Sequence, residues 1–523
     1  MKRITLVLTF FLGVLLLAGC SNSKDKAGDS DKKGEENTLR VAMSTDIDSL
    51  DPFKMTAGDT ETIMDQVFDG LFDVDTEGNL IPDLAESYSV SEDGKTYDFK
   101  LKKDVSFHDG KKFSAEDVLY TYDAMAGLTS KEALSTKFSI IDKIDVIDEY
   151  NIRVHLKERQ NGFIYLTLRP IVEKDYKDNG TKPIGTGPYM FESYTPGEGL
   201  RLKKFEDYHD KDHIAHFENV EIIKIADRQT MIMALKNNDL DLADRISSEE
   251  ASQLEDACNI NSFPQNLVQV MGLNNDFKAF QDKNVRLALN YAIDRDEIIN
   301  TVAEGKATKL FSSFSPALKE YFEDLGEYYP YDPEKAKELL KEAGYENGLS
   351  FKLTVPSDYE YHMNTAELIQ AQLHKVGVET TIDPIEFSTW LTKVYKDRDY
   401  EATVVGFIGY LDPIQILGRY TSENPKNYIN FKSAEFDKAI SKAEKATTKE
   451  EEIQSIKDAQ KVLAKDAASV FIADPANNQA LRKGLTGLNQ YPIQKLNLED
   501  VKLEKWVKWL LKSLYPFFLH CFL

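Results

Sequence analysis

Apolar and polar positions alternate through residues 39–45 (LRVAMST), which predicts an opening β-strand. Residues 60–72 carry apolar side chains at helical spacing. Two hairpins follow. One turns at 74–79 (VDTEGN), the other at 91–95 (SEDGK) with Asp93-Gly94 between strands 88–90 and 97–101. Ser114, with Glu116 and Asp117 just after it, predicts a helix start, because a hydroxyl accepts from free backbone N–H groups and acids suit the positive helix end. Residues 151–156 alternate again as a strand. Residues 285–299 (VRLALNYAIDRDEII) predict one amphipathic helix. Asp332-Pro333 opens another, which stops at Gly344. Strands at 353–355 and 379–382 flank a helix at 366–376. That β-α-β order predicts an α/β fold with some parallel pairing. Two helices fill 432–465, and residues 183–189 (PIGTGPY) mark a segment boundary. No internal repeat is visible.

The two ends break this pattern. Met1-Lys2-Arg3 is basic and residues 4–18 are almost wholly apolar. That run falls short of the roughly 20 residues a membrane-spanning helix needs and fits a secretory signal. It ends Leu17-Ala18-Gly19-Cys20, which resembles the lipobox of bacterial lipoproteins. The resemblance implies cleavage before Cys20, lipidation of Cys20, and an extracytoplasmic protein held to the cell membrane by acyl chains. Residues 1–19 are then the signal peptide. Residues 20–37, which are polar beyond Cys20, form a tether with nothing to bury. The last segment, 506–523, has no acidic residue and is rich in Trp and Phe. It reads as an atypical hydrophobic tail, either a read-through product or a helix lying on a membrane surface.

Composition narrows the function. The chain has 523 residues, 42% of them hydrophobic, which is enough for several cores and rules out a disordered chain. Its 88 acidic residues against 64 basic ones give a net charge of −24, which argues against nucleic-acid binding. Three cysteines make neither a disulfide scaffold nor a four-cysteine zinc site, and Cys258 reads as a small buried apolar residue. No GxSxG, HExxH, GxxxxGK[ST] or CxxC motif occurs, so an enzyme is not expected. The Asp73–Gly78 run mimics a calcium loop but has Leu84 where a bidentate Glu is needed. His209, His213 and His216, interleaved with Asp210 and Asp212, are a weak metal candidate. Solvated loop histidines are the simpler reading, and no cofactor is expected.

Residues 84–122 (LAESYSVSEDGKTYDFKLKKDVSFHDGKKFSAEDVLYTY) resemble the signature region of the family 5 extracellular solute-binding proteins, the peptide-, dipeptide- and nickel-binding components of ABC importers. Residues 49–52, 183–189, 285–295 and 336–345 extend the resemblance in the same order. It implies a two-lobed, periplasmic-binding-protein-like clamp with a third, smaller domain. The first lobe would be discontinuous (38–75, 183–268 and 477–505), the small domain 76–182, and the second lobe 269–476. The crossing strands would lie near 268–273 and 470–478. Such a monomer would capture short peptides and deliver them to a membrane permease driven by a separate ATPase. A nickel chelate, another small solute, or a sensor or adhesin role are the alternatives.

The resemblance also implies a ligand site. Thr56, Ala57 and Gly58 match the family's backbone-contacting loop. Phe387 and Trp390 match its aromatic segment. Gly406, Phe407, Ile408, Gly409, Tyr410 and Asp412 span its anchoring loop. Gly409 stands where oligopeptide members carry an Asp that pairs with the ligand amine, and Val404 where some carry an Arg for the ligand carboxylate. Asp412 is the candidate replacement for the amine anchor, with capping of the following helix as its alternative role.

Overall fold

The computed structural model describes residues 37–504. Cys20, the tether before residue 37 and the tail at 506–523 lie outside the described residues. The strand predicted first runs Thr38–Met43 with alternating burial, as half-buried strands do. Both predicted hairpins form, Phe72–Val74 with Leu80–Pro82 and Ala85–Val90 with Thr96–Leu101. The Ser114 hydroxyl accepts from Glu116 N–H, and Asp117 accepts from Ser114 N–H in return, which starts the helix Ala115–Ala126.

A twelve-stranded mixed sheet runs through the molecule. The predicted β-α-β unit forms part of it. Leu349–Pro356 pairs in parallel with Val378–Ile385, and the helix Glu360–His374 between them buries Ala366, Ile369 and Leu373. The thirteen-residue strand Val470–Arg482 lies inside the sheet and joins its two halves. Its first residues pair with Leu267–Leu273, and its later ones pair with Cys258–Pro264 and with Leu242–Ile246. A separate four-stranded antiparallel sheet, built from residues 85–156, packs on the helix Ala115–Ala126 around Phe99, Phe107 and Tyr122. Another core gathers Leu39, Val41, Tyr189, Leu202 and Leu481, and two more are built mainly from residues from 268 onward, with Val74, Tyr165 and Leu168 joining one of them. Cys258 is buried, and burial pushes its thiol up to about 11.

Two helix predictions are corrected. The helix expected over 60–72 is Gly58–Met64, because Phe72 turns into the first hairpin. The helix expected over 285–299 is two helices, Lys283–Ala292 and Arg295–Val302. Ile293 is extended, and the Asp294 carboxylate accepts from Glu297 N–H to start the second helix. A side-chain cap outweighs continuous amphipathic spacing there.

Candidate functional site

The cavity of about 610 Å³ in the middle of the large sheet is the main candidate. One wall is Ile246–Ser248 together with Pro475, Ala476 and Asn478. The facing wall is Tyr359, Tyr361 and His362, then Phe387, Trp390, Leu391 and Tyr395, and Val405–Ile408 with Tyr410. The strand Ala402–Ile408 supplies its backbone. One edge of that strand pairs along its whole length with Leu267–Leu273. On the other edge only Ala402 and Thr403 pair, with Leu353 and Thr354. From Val404 to Ile408 that second edge has no strand beside it among the described residues, and residues 405–408 line the cavity.

The wall is aromatic. Phe387 stacks on Trp390 with ring planes 8° apart, and Tyr359 meets Phe387 edge-on. Trp390 is 1% exposed and its Nε1–H donates to Thr403 Oγ1, so it is anchored in the core as well as facing the cavity. His362 is buried, and desolvation lowers its pKa to about 4, so the imidazole is neutral at pH 7. Its Nε2 accepts from Gly406 N–H at 3.0 Å. A Cβ on Gly406 would lie 2.9 Å from both His362 Cε1 and Leu267 Cδ2, so the ring can approach the strand only over glycine.

Of the residues the resemblance implicates, Phe387, Trp390, Gly406, Phe407, Ile408 and Tyr410 line this cavity. The others sit elsewhere. Thr56 and Ala57 donate to the Asp48 carboxylate; partial desolvation works against its charge, but these groups and the Thr60 hydroxyl hold it down to about 2. Gly58 packs against Gln494, whose Oε1 a Cβ would meet at 2.3 Å. Gly409 packs on the buried Asn266, whose side chain reaches Pro492 O, and a Cβ there would lie 2.0 Å from Asn266 Oδ1. An Asp at 409 would have no room, which gives the missing acid a local packing reason. Asp412 accepts from Ile414 N–H at the start of the helix Pro413–Gly418 and lines a different cavity of about 510 Å³. Burial raises its pKa to about 6.

The three histidines do not share partners. His213 bonds the Asp500 carboxylate near the surface, and the His216 backbone N–H bonds Glu499 O. His209 is buried, and its Nε2 faces Asp69 at 3.1 Å and Asp83 at 3.3 Å. Burial works against its charge, but those two carboxylates outweigh it and lift its pKa to about 9. The expected loop-histidine cluster is therefore one buried ion-paired imidazole and two separate ones. Sequence reasoning missed Tyr359, Tyr361, His362 and Arg419, all in the main cavity wall. The dense aromatic run Tyr359-Glu360-Tyr361-His362 was the available signal.

The profile of the bacterial extracellular solute-binding proteins, family 5, matches residues 79–428. The chain belongs to that family. Its members are solute-binding proteins and not enzymes, and this one is a substrate-binding protein of an ABC importer. Among curated family 5 relatives, the glutathione-binding protein GsiB of Pectobacterium atrosepticum is 28% identical over 88% of this chain and 93% of its own length. Among solved structures, the DppA periplasmic binding protein of Helicobacter pylori, in complex with the peptide STSA, is 28% identical with a TM-score of 0.72, over 90% of this chain and 98% of that one. The substrate-binding protein CtaP of Listeria monocytogenes is 26% identical with a TM-score of 0.79, over 89% of this chain and 99% of that one.

Proposed function

We propose that this family 5 protein captures short peptides in the main cavity and hands them to its permease while anchored to the membrane through a lipidated Cys20. The observation that carries the reading is the strand edge at Val404–Ile408, beside an aromatic wall: it has no partner strand among the described residues, although Gly406 N–H bonds His362. An extended peptide brings a row of N–H and C=O groups, each costing about 1–3 kcal/mol if buried without a partner. A strand edge satisfies such a row without reading side chains, and aromatic surface accommodates the side chains themselves. A relative named as a glutathione-binding protein and a solved relative in complex with the peptide STSA favour the same class of ligand. The nickel-chelate alternative has one imidazole in the wall, and Gly406 N–H already occupies its Nε2.

The lobes of this clamp are 38–75 with 183–268 and 477–505, against 269–476, with 76–182 as the small domain. They close over the ligand about the strands Leu267–Leu273 and Val470–Arg482. Peptide at 100 times its Kd should add about 2.7 kcal/mol of stability, read as a rise in melting temperature. Deleting the gene should abolish uptake of the same peptides. Scattering should record a smaller radius of gyration with peptide bound. A melting curve that no short peptide moves, with uptake intact in the deletion strain, rejects the reading.

A further inference from the structure

One charge in the main cavity has no counterpart. Arg419, just after the helix Pro413–Gly418, is buried, lines the cavity, and lays its guanidinium over the Phe407 ring at 4.8 Å. That side chain makes no ion pair and donates no hydrogen bond among the described residues. The other buried arginines differ. Arg286 donates to the carbonyls of Phe280, Gln281, Asp466 and Ala467, and Arg295 to those of Phe471 and Asn290 as well as to Asn290 Oδ1. The Arg419 guanidinium opens into the cavity with its donors unspent, a planar fork that the oxygens of an anion can fill.

The rest of the lining agrees. In a chain of net charge −24, no Asp or Glu faces this cavity. The second cation in its wall, Lys306, has no carboxylate partner among the described residues either. The neutral His362 adds no charge. An acidic protein repels anionic solutes at long range, so selecting one needs a local positive point in an apolar surround, where a charge pair is worth more than in bulk water.

We propose that Arg419 is the anion anchor of the cavity, and that the ligand is a peptide presenting a carboxylate to it. This rests on the peptide reading above and sharpens it: a free C-terminus or an acidic side chain is required, and neutral capped peptides are rejected.

The test uses calorimetric titration of the full-length protein with Ala-Ala-Ala, its C-terminal amide, the amide of Ala-Glu-Ala, and glutathione. Ala-Ala-Ala should bind at least about tenfold more tightly than its amide. If the glutamyl amide recovers the lost affinity, a side-chain carboxylate serves as well as the terminus. If it does not, the terminus is the source. Arg419→Gln should erase the preference for carboxylate, and Arg419→Lys should keep part of it, which separates loss of the anchor from loss of the fold. Acid and amide binding alike in the parent protein, or discrimination surviving in Arg419→Gln, overturns the anchor while leaving the peptide reading intact. If no peptide binds at all, the peptide reading falls, and the anchor is judged on succinate. Thermal protection by succinate that Arg419→Gln abolishes supports it. Protection that is absent, or equal in both proteins, overturns it.

Discussion

Two cavities of similar size carry opposite chemistry. The main one, about 610 Å³, is walled by aromatic and aliphatic side chains and has Arg419, Lys306 and no carboxylate. The second, about 510 Å³, meets residues 77–165 on one side and helix ends at 412–452 on the other. It is lined by Glu77, Glu320, Asp412 and Glu452 as well as Arg159 and Lys449. In the second, the charges answer one another locally. Lys449 reaches Glu320 and Tyr321, Glu452 accepts from the Tyr321 hydroxyl, and Arg159 donates to Ala446 O. In the first, the charges are left open. Volume alone does not mark a receptor site; unspent hydrogen-bonding capacity in an apolar wall does.

Trp390→Ala should have the largest effect on stability, about 3–5 kcal/mol by chemical denaturation, since a fully buried indole and its bond to Thr403 are lost. Peptide affinity should fall with it. A drop below about 1 kcal/mol would mean that Trp390 serves only as cavity surface.

Gly406→Val should cost about 1–3 kcal/mol, because the new side chain displaces the His362 ring from the strand edge. Calorimetry should then find peptide binding abolished. Unimpaired binding would remove the strand edge from the site.

Asp412→Asn probes the second cavity and has a pH signature. The folded pKa of Asp412, about 6, lies above the ordinary 3.8, so the folded state holds the proton more tightly. Its favourable contribution is complete below pH 3.8 and is lost as pH rises through about 6. Asn caps a helix nearly as well as Asp, so the variant should match the parent at pH 4 and exceed it by up to about 3 kcal/mol at pH 8. Peptide affinity should not change. Lost affinity with an unchanged melting temperature would return Asp412 to the ligand. Tyr88→Ala, in the same cavity, loses its edge-on contact with Phe72 and its stacking on Tyr97, and should cost about 1 kcal/mol of stability and no affinity.

Much of the local structure was readable in advance. The hairpin at Asp93-Gly94, the box at Ser114 and the start at Asp332-Pro333 all rest on contacts within four residues, so the signal sits next to its consequence. The helix break at Ile293-Asp294 was also local, but a cap was hidden inside a continuous apolar stripe. The site was only partly legible. Phe387, Trp390 and residues 406–410 were reachable through resemblance, yet Gly409 turned out to answer Asn266, 143 positions earlier in the chain. The antiparallel pairing of Leu267 with Ile408 makes them neighbours, and no spacing rule reports it.

By itself the sequence determined the α/β class, most helix and strand starts, the family, and the absence of enzyme motifs, because these depend on short-range periodicity, capping and ordered motifs. The tertiary structure alone decided which charges are answered. Arg286, Arg295 and Arg419 look alike in the chain, but backbone carbonyls surround two of them and only a ring and an open cavity meet the third. Whether a buried charge is satisfied depends on acceptors brought from distant segments, and that is set only when the sheet has assembled around it.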